Sequence, residues 1–412
     1  MGFFGDYHGI YFGDYFGDVG GAVAATGPAG TLLPWHYESC AEKYSWLTDV
    51  TKTFSGKERR AALLGSMPAK HFEAEYLLDD YQERWLRARL VNSPVAVYHL
   101  PLRFDALLAT VAVTGTTVTV TATGSADWAI AGQRVLLEDA DGTQHATHIT
   151  ATTATTITIN DTVPSTMPAN LTEIMPLEPI YLLDGEATGN YTVDLAEWKL
   201  AARGIVFDDN FGLGASLTSF DSLTVCDRRP VSESLAQEQS VANSWFGDYG
   251  AIVAVDGGYT RSDIKRSHEF AWHTRAERQW WRLFLNHCRG RFKTVLLPTW
   301  LDDLTASTTW STTALTVYAD DDHGDYISHW THQTRLQIEL SNGEILHRKV
   351  NSYADNGDGT HTLTLATANT GGSTTVSKIS FLELAHMEGD QVVIQHQDSR
   401  SRLSSTFVVV QQ

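Results

Sequence analysis

Apolar and polar residues alternate in "HFEAEYLL" (His71–Leu78), where Phe72, Ala74 and Tyr76 share a face, and again in "HEFAW" (His268–Trp272), where Phe270 and Trp272 do. Alternation of this kind predicts strands buried on one side. The period then changes. Tyr81, Trp85, Leu86 and Leu90 fall at helical spacing after the first segment, and Trp280, Trp281, Phe284, Leu285 and Cys288 after the second. Asp80 with Glu83, and Thr274 with Glu277, supply a capping box at each helix start, and Gly290 a stop for the second helix. Each helix leads through a β-rich run into Leu100–Pro101 or Leu297–Pro298, with Asp105 or Asp302 four residues past the proline.

The correspondence continues in order. "TVTVTA" (Thr117–Ala122) matches "ALTVYA" (Ala314–Ala319), and "RVLLEDADG" from Arg134 matches "RLQIELSNG" from Arg335, placing turn glycines at Gly142 and Gly343. "TITIN" (Thr156–Asn160) parallels "LTLAT" (Leu363–Thr367), and "IMPLE" ending at Glu178 parallels "ISFLE" ending at Glu383. Matched positions lie about 200 residues apart, the spacing of a duplicated domain rather than a solenoid unit. The expected class is mainly β with a minor α component: two tandem copies of a β module with one helix, each carrying an inserted small β-barrel or sandwich. Residues 1–34 form a Gly/aromatic arm, 35–109 plus 163–208 the first module, and 110–162 its insert. Residues 209–250 form a linker, 251–306 plus 371–412 the second module, and 307–370 its insert.

With 412 residues and a net charge of −19, the chain suits several domains and repels phosphate backbones, so nucleic-acid recognition is not expected; no run approaches the roughly 18 apolar residues of a membrane span, so none is expected either. The basic clusters Lys57/Arg59/Arg60 and Arg289/Arg291/Lys293 are short and read as solvated surface or ion pairs. Cys40, Cys226 and Cys288 form no CxxC unit, and the N-terminus has no signal-peptide pattern, which together point to assembly in a reducing cytoplasm.

No nucleophile elbow, zinc-helix motif, phosphate loop or dinucleotide fingerprint stands in its required context, so no catalytic or cofactor-binding residue is assigned and no enzyme is expected. "GLGAS" (Gly212–Ser216) is a linker, and "DNGDGT" (Asp355–Thr360) reads as turn chemistry. Asp320, Asp321, Asp322 and Asp325 in "YADDDHGDY" form a weak calcium candidate against the simpler reading of a solvated hairpin tip, so no metal is assigned. Tyr7, Tyr11, Phe12, Tyr15 and Phe16, in a Gly-rich terminus that cannot build its own core, are the expected interface anchors.

The line "WLTDVTKTFSGKERRAALLGSMPAKHFEAEYLL" (Trp46–Leu78), followed by a helix and a Leu-Pro phrase, resembles tail-tip proteins of long-tailed bacteriophages, as does the "YFGDYFGD" terminus. The likeness covers mainly Trp46–Asp105; in the second copy "GGYTRSDIKRSHEF" stands in place of the "GKERR" element, Gly56–Arg60. The resemblance implies tail-tube-like modules in a structural virion protein at the distal tail, in a ring joining the tail tube to baseplate hub and fibre proteins. Two modules per chain would let a trimer match a six-fold tube, with a hexamer as the other order. The alternative is a receptor- or carbohydrate-binding adhesin that stacks sugars on Trp128, Trp310 or Trp330, although core packing is the more ordinary use of these residues. A cell-wall hydrolase is a third class and lacks a recognisable catalytic pair.

Overall fold

The computed structural model describes residues 30–410, apart from 34–35, 53–57, 64–67, 93–95, 125, 192–194, 206–215, 232–235, 241–242, 249–250, 258–262, 308, 319–333, 370–371, 373 and 398–399. The first half begins with β1 (Thr31–Leu32), β2 (Tyr37–Ser45), the hairpin β3–β4 (Thr48–Lys52, Glu58–Ala62) and β5 (Ala69–Leu78). The first helix (Asp80–Asn92) and β6 (Val97–Pro101) follow. Then come β7 (Leu107–Leu108), β8 (Thr117–Thr119), β9 (Arg134–Glu138), β10 (Gln144–Thr152) and β11 (Thr156–Ile159). The long β12 (Glu173–Tyr191) and β13 (Ala196–Gly204) return to the first sheet.

The second half opens with β14 (Ser219–Phe220), β15 (Leu223–Thr224), β16 (Ala236–Ser240), the hairpin β17–β18 (Asn243–Asp248, Ala251–Gly257) and β19 (Asp263–Trp272). The second helix (Arg275–Cys288), β20 (Val295–Pro298), β21 (Ala314–Tyr318), β22 (Arg335–Leu340), β23 (Ile345–Asp355) and β24 (Thr360–Leu365) come next. β25 (Val376–Met387), β26 (Gln391–Gln397) and β27 (Arg400–Val409) complete it. Among the described residues the molecule is mainly β, with a large, almost wholly antiparallel sheet and two α-helices. Among the described residues no helix is long and apolar enough to cross a membrane.

Pairing follows the same order in both halves. The first runs β2–β5–β13–β12–β6 and the second β16–β19–β27–β25–β20. Leu32 bridges His99 in parallel as Val225 bridges Leu296. The Thr-rich stretches pair as β8–β11–β10–β9–β12 and β21–β24–β23–β22–β25. Regular ladders leave each stretch open; isolated bridges Ala109↔Val120 and Ala306↔Val317 span the remaining gap. Gly142 and Gly343 both take positive φ at the hairpin turn that their position in the repeat predicts. Among the described residues four large clusters hold most of the apolar core, one under each main sheet and one in each Thr-rich stretch, and two smaller ones gather around Leu32 and Val225.

Three expectations are corrected in detail. His71 does not correspond to His268. Tyr76 pairs with Trp198 as Phe270 pairs with Leu403, so the strands align three residues away from the histidine match, with Phe72 at Arg266 and Leu78 at Trp272. Parity decides it, because side chains alternate between faces: 72, 74, 76 and 78 are buried, as are 266, 268, 270 and 272. The first cap is Asp79, not Asp80. Its Oδ1 accepts from the Tyr81 and Gln82 amides at 2.9 and 2.8 Å, and Gln82 Oε1 accepts from the Asp79 amide at 3.1 Å. Asp80 pairs instead with Arg84 at 3.6 Å, and Glu83 is buried. The Thr274–Glu277 box forms as expected. Finally, the stretch expected as a linker supplies β14, β15 and the edge strand β16 of the second half.

Asp79→Ala is expected to cost about 1 kcal/mol and Asp80→Ala less than about 0.5 kcal/mol. Denaturant unfolding of the two variants checks the reassigned cap.

Candidate functional site

The two halves meet along an edge. β2, the outer strand of the first half, pairs antiparallel with β26 of the second from Cys40↔His396 to Ser45↔Gln391. Tyr44 and Trp46 consequently sit in the second half's core beside Trp272, Trp281 and Phe407. Beside this seam lies a buried ionic cluster.

The second helix builds one side of it. Its apolar stripe turns Trp281, Phe284, Leu285 and Cys288 inward, which leaves Arg275, Arg278 and Arg282 on another stripe facing the first half. There the Leu-Pro phrase ends in a 3-10 turn (Arg103–Asp105) whose Phe104 and Asp105 are buried. Arg278 donates to Asp105 Oδ1 at 3.1 Å and to the Phe104 carbonyl, and Arg275 donates to the Ala106 carbonyl. Arg282 Nη2 lies 2.7 Å from Asp105 Oδ2 and 3.2 Å from Glu42 Oε2, while Nη1 reaches Asp127 at 3.7 Å. Tyr44 Oη donates to Glu42 Oε1 at 2.5 Å. The Phe104 ring stacks on His396 with centroids 3.7 Å apart. Trp128 Nε1 donates to the Asp105 carbonyl at 3.2 Å, tying the first Thr-rich stretch to the same point.

Electrostatics follow from burial. For Glu42 and Asp105, burial favours the neutral acid, but Arg282, joined by His396 at Glu42 and by Arg278 at Asp105, outweighs it and holds both below the usual carboxylate range. His396 is lowered because burial outweighs its contact with Glu42. Ser401, His396 and Glu42 are linked at 2.8 and 3.3 Å, the connectivity of a nucleophile–base–acid relay. Ser401 is fully buried and Phe104 covers the imidazole, so the relay is closed to a substrate and acts here as a structural tie.

A second contact brings the β3–β4 hairpin onto the second half. Asp390 accepts from the Thr48 amide at 2.8 Å and the Arg291 amide at 3.0 Å, and its carbonyl accepts from Trp46 N–H. Gly290 passes so close that a Cβ would lie 2.8 Å from the Asp390 Cα, at φ +61°. Glu58 lies 3.2 Å from His386 Nε2.

Tyr7, Tyr11, Phe12, Tyr15 and Phe16 lie outside the described residues, as do Asp320, Asp321, Asp322, Asp325 and Trp330. Trp128 and Trp310 are buried in the cores of the Thr-rich stretches, which removes them as sugar platforms. Asp105, read only as a marker of the repeat, is central to the junction, whereas its counterpart Asp302 is exposed. Glu42, Arg278, Arg282 and His396 were not singled out. The arginine spacing on the second helix was visible, but nothing local pointed to Glu42, 240 positions from Arg282. Compared with known family models and with curated proteins, the sequence matches none.

Arg282→Met leaves two buried carboxylates without their main counter-charge and is expected to cost about 3–5 kcal/mol in chemical unfolding. Acid should weaken the fold in two windows. Buried His268, lowered from 6.5 to about 4, disfavours folding as pH falls below 6.5, and Glu42 and Asp105 lose their contribution only as pH falls further, through their lowered values. Urea titrations at pH 7 and pH 4 should differ by up to about 3 kcal/mol from His268, and His268→Leu should remove that share, leaving those of the other lowered histidines, His145, His287, His347 and His396.

Proposed function

We propose that this chain is a structural subunit of the tail tip of a long-tailed bacteriophage. Three copies form a ring of six like modules that joins the tail tube to the baseplate hub and fibre proteins. One observation carries the reading: both halves repeat one pairing order, and they join through sheet edges rather than faces. Edge joining lets a sheet continue from module to module around an axis, and a heterologous contact repeated at a fixed rotation makes a ring where that rotation closes.

The reading as tail-tube-like modules with small inserted barrels draws on the isolated bridges Ala109↔Val120 and Ala306↔Val317, which stand at the same place in each Thr-rich stretch, and on the helix each half carries between matching strands. The resemblance of Trp46–Leu78 falls on β3, β4 and β5, and the first two of these dock on the neighbouring half. In this reading the protein is not an enzyme, sits at the distal end of the virion tail, and is assembled in the host cytoplasm. Cryo-electron microscopy of the purified assembly is expected to give three chains per ring with six similar densities. Six chains per ring would count against the proposal.

A further inference from the structure

Among the described residues, each strand of the internal junction has a counterpart in the other half whose outer edge is unpaired. β16 corresponds to β2, since Ala236 pairs with Ser267 as Ala41 pairs with Glu73. Ala187–Tyr191 of β12 corresponds to β26, since Gly189 pairs with Trp198 as Ile394 pairs with Leu403. β2 and β26 pair with each other; among the described residues the outer edges of β16 and of Ala187–Tyr191 pair with nothing.

Side chains around those edges differ in exposure as an unfilled copy of the junction requires. Phe104 is 8% exposed, whereas Leu301, also three residues past its Leu-Pro proline, is 43% exposed. His396 is 2% exposed and its counterpart Tyr191 is 60% exposed. The Arg282 side chain is 7% exposed, and that of Arg87, eight residues past its cap as Arg282 is past Thr274, is 59% exposed. Asp105 is buried and Asp302 exposed. An apolar side chain and an anion thus lie open at one end, an aromatic ring and a cation at the other.

We infer that the chain docks head to tail on a second copy of itself, the β16 edge with Leu301 and Asp302 of one copy meeting the Ala187–Tyr191 edge with Arg87 of the next. Carrying over the internal register places Gln237 opposite Gly189, as Glu42 stands opposite Ile394. Arg87 pairs with Asp302, and Leu301 covers Tyr191 as Phe104 covers His396. Glu83 stands where Arg278 does, but its carboxylate already accepts from Tyr191 Oη at 3.1 Å and pairs with Arg87 at 3.5 Å. The new contact therefore keeps one of the internal cross-junction ion pairs and is the weaker of the two. The inference rests on reading the halves as like modules, not on the place of the ring in a tail.

Sedimentation of the full chain over a concentration series should show reversible association. Arg87→Asp and Asp302→Arg should each raise the dissociation constant at least ten-fold, and the double variant should recover most of the loss. Asp302 is exposed, so circular dichroism of Asp302→Arg should be unchanged; Arg87→Asp also loses the 3.5 Å pair with buried Glu83, so its thermal unfolding is read beside its association. Mixing Tyr191→Cys with Leu301→Cys chains under mild oxidation should give a cross-linked dimer that neither gives alone; Cys40, Cys226 and Cys288 are buried and do not compete. A chain that stays monomeric, a charge swap that restores nothing, or a mixture that fails to cross-link overturns the inference. Cross-linked open filaments would support the contact while counting against the closed three-chain ring.

Discussion

Arg282 ties two distant parts of the chain together. Its guanidinium lies between Glu42, on the edge strand of the first half, and Asp105, at the end of that half's Leu-Pro phrase. Ionic groups this deeply buried contribute little net stability compared with apolar packing, but they strongly penalise any arrangement that separates them. The cluster therefore acts on geometry: the second helix can seat only where both carboxylates meet it. That seat aligns β2 with β26, and the sheet then runs unbroken from one half into the other.

The rest of the architecture follows from that seam. Tyr44 and Trp46 enter the second core because the strand that carries them is shared, and the β3–β4 hairpin reaches Asp390 because it springs from the end of that strand. Among the described residues the corresponding edges of β16 and Ala187–Tyr191 have no partner, and they keep part of that chemistry, the exposed Asp302 and Arg87. A molecule that satisfies its own junction once and leaves its two halves open elsewhere has the form of a repeating unit, and the proposed ring expresses it.

Much of this was legible in the sequence, for physical reasons that differ by position. Gly142 and Gly343 were readable because a tight turn needs positive φ, and Thr274 with Glu277 because a helix start needs acceptors for free amides. The strand match failed where it relied on shared identity, His71 with His268, instead of on which face each residue occupies. β16, "AQEQS", carries no apolar alternation and read as linker; its pairing with β19 is decided by the neighbouring strand. The junction itself was hidden because Glu42 and Arg282 become neighbours only after both halves fold. Local patterns report local partners, and a contact between modules is not local.

On this architecture the seam between the halves is as firmly held as the halves themselves. Native-state amide hydrogen exchange tests it most directly. The amides of β2 that face β26 should exchange in the same slow class as those in the β5–β13 and β19–β27 ladders, opening only with the whole molecule. Rapid exchange along β2 and β26, with both sets of internal ladders still protected, would mean that the halves are merely tethered, and would contradict the account.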